Sequence, residues 1–241
     1  MSGQYQTFEV ELTDDQRVLV VSINRPPVNA FVKESYEELC SIMEMVRKSE
    51  TICSVILRSN GRLFSAGADL NQLKNDSPQK AVFRRAKLRE AAHALYTCPV
   101  PLITAVNGAA VGAGAIFAAC GDIIMASQDA FFSIPEINVG VIGGAKGLSR
   151  LLPPQKIRVL ALTGARISAQ EIFQYGGIEE IVETECLHDK AMEYAQMIAN
   201  KGYYAVRKWK EALIMTESMD ISTGFLVEQG FSQELALIRE K

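Results

Sequence analysis

From Val100 to Gly121 the chain carries no charged side chain. By length alone that segment could cross a bilayer. Pro101 and the Asn107-Gly108 pair argue otherwise, because they divide it into a strand at Leu102 to Val106, a turn, and a helix from about Gly112 to Cys120. An uncharged strand-turn-helix must be covered from both sides, so the rest of the chain has to build layers around it. The segment therefore predicts a large buried core rather than a membrane span.

The flanking segments supply such layers. Phe8 to Leu12 alternates apolar and polar side chains, and Val18 to Ile23 is apolar and rich in β-branched residues, so both read as strands. Arg25-Pro26-Pro27-Val28-Asn29 is a rigid turn. Lys33 to Lys48 places Tyr36, Leu39, Ile42, Met43 and Val46 at helical spacing. Ile52 to Leu57 predicts a strand, Pro78 to Tyr96 a charged amphipathic helix, and Ile123 to Ala126 and Phe131 to Ile134 short strands. Strands separated by helices imply parallel pairing and an α/β class. Beyond Gly144 the pattern turns helical. Ser168-Ala169-Gln170-Glu171 is a capping-box pattern and Gly176-Gly177 a stop. Helices are expected over roughly Leu187 to Asn200, Tyr203 to Thr216 and Ile221 to Ile238.

At 241 residues the chain suits one large domain, or a domain with a small appendage. The expected division is a core over 1–186 and a helical oligomerisation region over 187–241. A net charge of −3 gives no basic field for nucleic acid or an anionic membrane. Met1 to Asp15 has no basic stretch ahead of an apolar one, so no secretory signal is expected and the cytoplasm is the expected location. Cys40, Cys53, Cys98, Cys120 and Cys186 are scattered and lack CxxC spacing, which predicts reduced thiols. His93 and His188 are the only histidines, so no metal site is expected.

Three short motifs carry candidate chemistry. Phe64-Ser65-Ala66-Gly67-Ala68-Asp69-Leu70 and Asn107-Gly108-Ala109-Ala110-Val111-Gly112-Ala113-Gly114 are glycine-rich turns able to present backbone N–H groups closely to a ligand. The second opens a helix, whose free amides and dipole favour negative charge. The third, Ser133-Ile134-Pro135-Glu136-Ile137, sets one carboxylate among apolar neighbours. Taken singly, each turn also fits an ordinary loop or close helix packing, and Glu136 a solvated loop. Together, two sets of amides and one shielded carboxylate are the parts needed to stabilise an enolate and move its proton.

In this order and spacing the motifs, with Cys120-Gly121-Asp122-Ile123-Ile124 and Phe132 to Gly140, resemble the crotonase (enoyl-CoA hydratase/isomerase) superfamily over about Phe8 to Met215. The resemblance implies a spiral of ββα units with a helical C-terminal region that forms trimers or hexamers. It implies an acyl-CoA thioester as substrate, with coenzyme A entering as part of it and no separate cofactor. Ala68 and Ala113 match the two positions whose N–H groups hold the thioester oxygen. Val28, Ala66, Asp69 and Leu70 match segments that cradle CoA, and Gly144 one that helps hold water.

The sequence departs from the hydratase pattern at one point. Hydratases resembling this chain carry two glutamates; Glu136 matches the second, but Ile116 occupies the place of the first. Isoleucine can neither activate nor orient water. A single carboxylate suits proton transfer along the acyl chain, as in the family's Δ3,Δ2-enoyl-CoA isomerases, and an apolar neighbour would exclude water and raise the proton affinity of Glu136. Isomerisation is the leading expectation. Hydration, decarboxylation, hydrolysis and C–C cleavage remain alternatives, because the amide turns serve any enolate. Many relatives continue past the position of Lys241, which suggests a more open acyl pocket or one covered by the assembly. Phe31, Leu73, Phe83 and Phe117 are weak candidates for an apolar acyl pocket. Arg207, Lys208 and Lys210 beside Tyr203 and Tyr204 form a solvated helix face or, alternatively, a contact for CoA phosphates.

Overall fold

The computed structural model describes residues 5–239. A six-stranded sheet runs in the order β1-β2-β3-β4-β6-β9, formed by Phe8–Leu12, Val18–Ile23, Ser54–Ser59, Leu102–Val106, Ile123–Ser127 and Glu180–Val182. Only β1 and β2 pair antiparallel; every other pairing in this sheet is parallel. Parallel neighbours need crossovers. These are supplied by α1 (Lys33–Lys48) between β2 and β3, by α2 (Leu70–Asn75) and α3 (Pro78–Tyr96) between β3 and β4, by α4 (Ala113–Ala118) between β4 and β6, and by α5 (Ala145–Leu148), α6 (Pro154–Thr163) and α7 (Ala169–Gln174) between β6 and β9.

Each turn of the chain also lays a short second strand beside the last. Phe31 bridges Ala68, Ser65 bridges Ala110, and β5 (Ala109–Val111) pairs with β7 (Phe131–Ser133), all parallel. β8 (Arg166–Ser168) closes this second layer by pairing antiparallel with β7. The repeat of long strand, short strand and helix is the expected ββα spiral. Of these short strands β7 matches the one expected at Phe131 to Ile134, whereas β5 and β8 escape sequence reading because three residues give no measurable period.

The alternation of the long strands divides the core in two. Leu19, Val21 and Ile23 face a cluster with Tyr36, Leu39, Ile42 and Phe117, whereas Val18 and Val20 face a cluster on the other side of the sheet. α8 (Leu187–Ala199) covers that second side through Leu187, Ala191, Ala195 and Ala199, four apart on one helical face. The alanines allow the helix to lie close to the strands. Thus α8, which falls in the expected 187–241 region, packs as a layer of the core. α9 (Tyr203–Thr216) follows it, and α10 (Ile221–Arg239) rests on α9 with Ile221, Phe225, Leu226 and Leu237 largely exposed.

The uncharged segment folds as expected, with β4 wholly buried. Asp122, just beyond it, accepts from the Leu102 N–H at 2.8 Å and from Lys210 Nζ at 2.6 Å. Lys210 is 2 % exposed. Removing either partner of such a buried pair costs about 3–5 kcal/mol. Lys210 therefore anchors α9 to the sheet, and it is not a free cation. Arg207 donates to the Val46 and Ser49 carbonyls at 2.8 and 2.9 Å and stacks on Tyr203, while Lys208 pairs with Glu234 at 2.6 Å. Neither a simple solvated face nor an open phosphate contact describes this stretch. No helix among the described residues is long and apolar enough to cross a membrane.

Candidate active site

The first glycine-rich turn leaves β3 and enters α2. Phe31 N–H donates to Gly67 O at 2.7 Å and Asp69 N–H to Phe31 O at 2.9 Å, so the intervening Ala68 N–H is directed away from this ladder. The second turn leaves β5 and enters α4, whose first hydrogen bond is Ile116 N–H to Gly112 O at 3.0 Å. The N–H of Ala113, first in the helix, has no helical acceptor. The two turns are tied by Ser65, which donates from its N–H to Ala109 O and accepts at its carbonyl from Val111 N–H, both at 2.9 Å. A Cβ built on Gly67 would lie 2.7 Å from Val111 O and 3.7 Å from Ala113 N. Only a glycine fits there, and its φ of 91° makes the same demand.

Ala68, Ala113 and Glu136 line one cavity of about 520 Å³, between α3 and the segment 135–143. That volume suits a small-molecule site. Glu136 lies in a 3₁₀ turn, Pro135–Val139, that follows β7. Its Oε2 is buried with no hydrogen-bond partner among the described residues. Desolvation pushes its pKa upward, against a smaller opposing hydrogen bond from its own backbone. The charged carboxylate is thus poorly solvated and holds a proton more readily than usual.

Ile116, on α4, contributes to the same wall. It lies near Gly144, where a built Cβ would come 3.5 Å from Ile116 Cγ1 and 2.6 Å from Ile134 Cγ2. Gly144 is half-buried against these two isoleucines, and its neighbour Gly143 lines the cavity. Ala66 and Leu70 line the cavity. Val28 sits behind them and accepts from the Ala66 N–H at 3.0 Å. Asp69 also stays off the cavity wall: it caps α2 by accepting from Asn71 and Gln72, and pairs with Arg25 at 3.0 Å.

Of the four aromatic and aliphatic candidates for the acyl pocket, only Leu73 lines it. Phe31 and Phe117 are buried core, with ring centroids 4.9 Å apart, and Phe83 sits on the outer surface near Lys33 and Lys87. Arg84, Arg85 and Arg89 of α3 also reach the cavity, which their sequence does not signal. Charged residues on a surface helix look like a solvated face, and only the position of α3 over the cavity distinguishes them. No cluster of three or more metal-ligating side chains occurs among the described residues.

Comparison with known proteins places this geometry. An enoyl-CoA hydratase/isomerase family model matches residues 13–236. The chain is 36% identical over 227 residues to "(7aS)-7a-methyl-1,5-dioxo-2,3,5,6,7,7a-hexahydro-1H-indene-carboxyl-CoA hydrolase" of Rhodococcus jostii, covering 93% of this chain and 88% of that protein. It is 30% identical to 1,2-epoxyphenylacetyl-CoA isomerase of Escherichia coli, covering 91% and 87%. Among solved structures, an enoyl-CoA hydratase from Bacillus anthracis superposes with a TM-score of 0.90 at 31% identity, covering 95% of this chain and 90% of that one. A match of this extent, on a ββα spiral with a shared cavity for both turns and the carboxylate, makes the chain a member of the enoyl-CoA hydratase/isomerase family of the crotonase superfamily.

Proposed function

We propose that this acyl-CoA enzyme works through a thioester enolate with Glu136 as its single acid–base group, and that its reaction is Δ3,Δ2-enoyl-CoA isomerisation. The Ala68 and Ala113 N–H groups hold the thioester oxygen, while Val28, Ala66, Asp69 and Leu70 form the segments along which CoA lies. Glu136 removes a proton from C2 of a 3-enoyl thioester, and the electron pair moves onto the oxygen as the dienolate forms. The same carboxyl returns the proton to C4, leaving the double bond between C2 and C3. The observation that carries this reading is the shielded, unpartnered Glu136 Oε2 in a cavity whose remaining hydratase position is Ile116. A group that must alternate between base and acid benefits from a raised pKa.

A second reading is hydrolysis of a bulkier acyl-CoA. It is favoured by the relative of 36% identity, whose name gives a hydrolase acting on a dioxo-hexahydroindene-carboxyl-CoA, and the cavity volume leaves room for a fused-ring acyl group. One assay separates the two. Each of a 3-enoyl, a 2-enoyl and a cyclic dioxo acyl-CoA is incubated with the enzyme and followed by mass and absorbance. Isomerisation leaves the mass of the 3-enoyl ester unchanged while conjugation appears. Uptake of water confined to the cyclic ester would favour the second reading, and uptake by the 2-enoyl ester would favour a hydratase.

A further inference from the structure

Arg85 and Arg89 are one helical turn apart on α3, with Leu88 between them, and all three line the cavity. Both arginines are exposed, and neither forms an ion pair among the described residues. On the same helix Arg84 is paired with Asp76 and Lys87 with Glu90, each at 2.8 Å. Like charges one turn apart repel and weaken an isolated helix, so the fold gains nothing from placing them together. The nearby wall is apolar, with Leu73, Val139 and Ile142. Glu136 enters the cavity from the Pro135–Val139 turn and the two arginines from α3, so the carboxylate and the guanidinium groups come from different walls.

We propose that Arg85 and Arg89 form a subsite for an anionic group at the far end of the acyl chain, so that the substrates are CoA thioesters bearing a second, terminal carboxylate. This rests on the reading of the cavity as the acyl-CoA site. Two guanidinium groups match a carboxylate in both charge and geometry. The Leu73 and Leu88 side chains accommodate the methylenes between the thioester and that carboxylate. A phosphate of CoA offers related chemistry, and the test must separate the two sources.

Binding of two unreactive saturated thioesters, adipoyl-CoA and hexanoyl-CoA, is measured by calorimetry together with their 3′-dephospho forms. The proteins are wild type, Arg85→Gln, Arg89→Gln and the double variant. The wild type should bind adipoyl-CoA on the order of tenfold more tightly than hexanoyl-CoA. The double variant should lose that preference while its affinity for hexanoyl-CoA stays the same. A wild type indifferent to the terminal carboxylate overturns the proposal. So does an equal loss for both esters in the variants that vanishes in the dephospho forms, because the arginines then hold CoA. If neither ester nor CoA itself binds the wild type, the acyl-CoA reading fails, and this inference with it. Both arginines are on the surface, and the wild-type preference is tested without any substitution.

Discussion

Glu136 Oε1 occupies the space that a side chain at Gly112 would need: a Cβ built on Gly112 lies 2.9 Å from that oxygen. Gly112 also has φ 52° and ψ −117°, a conformation that residues with a Cβ rarely adopt. One glycine thus makes the turn into α4 possible and leaves room for the carboxylate beside the Ala113 amide.

Gly112→Ala should affect both roles. The strain should lower stability by about 1–3 kcal/mol, seen in denaturant melts. Displacement of Glu136 should lower kcat/KM by about 10²-fold. A variant with lower stability and unchanged turnover would show that the carboxylate does not depend on this space.

Glu136→Gln should reduce turnover by about 10²–10⁴-fold with affinity for an acyl-CoA nearly intact, since the amide turns are untouched. It also has a stability signature. The folded-state pKa of Glu136 is raised, so the native state holds a proton that the unfolded chain releases as pH rises. The wild type therefore loses stability between the unfolded and folded pKa values, and the penalty persists at neutral pH. Glutamine does not ionise, so the thermal midpoint of the variant relative to wild type should rise from acid to neutral pH. An offset independent of pH would mean that the carboxylate is not desolvated.

Ile116→Glu would set a second carboxylate in the cavity wall, at the position that the resemblance matches to the first glutamate of hydratases. The variant should gain measurable hydration of a 2-enoyl-CoA and lose isomerisation, because the two carboxyls perturb one another and admit water. Some stability should be lost, as a charge replaces an apolar side chain against Ile134 and Gly144. If the wild type already hydrates efficiently and the variant is no better, some other group activates water, and the isomerase assignment should be abandoned.

The exposed Ile221, Phe225, Leu226 and Leu237 on α10 predict self-association, with a trimer or hexamer expected. Deleting residues 221–241 should reduce the assembled mass in light scattering. A monodisperse wild-type monomer at micromolar concentration would count against it.

What could be read from the sequence follows physical length scales. α1, α3 and α9 match their expected ranges because fourteen or more residues give several turns of helical period, and β2 because its run is apolar but for Ser22. β5, β8 and β9 are too short to show a period. The strand expected at Ile52 begins at Ser54, since Cys53 and Ser54 are first bonded to Arg17 O. Within the site, the three motifs converge because each lies at the same end of a successive spiral turn. The arginines reach the cavity because of how α3 lies over it, which local pattern does not encode.

The Ser65 link between the two turns has a consequence for what this scaffold can become. The spacing of the Ala68 and Ala113 amides is set by main-chain pairing together with the Ser65 hydroxyl, which accepts from the Gly67 N–H and donates to Asn29 O, whereas the side chains proposed to move the proton and exclude water are carried on α4 and the Pro135–Val139 turn. Charge stabilisation and proton delivery are therefore mechanically separable. Exchanges at positions 116 and 136 can redirect the reaction while the electrostatic frame stays fixed, so a single chassis can pass from one chemistry to another by very few mutational steps.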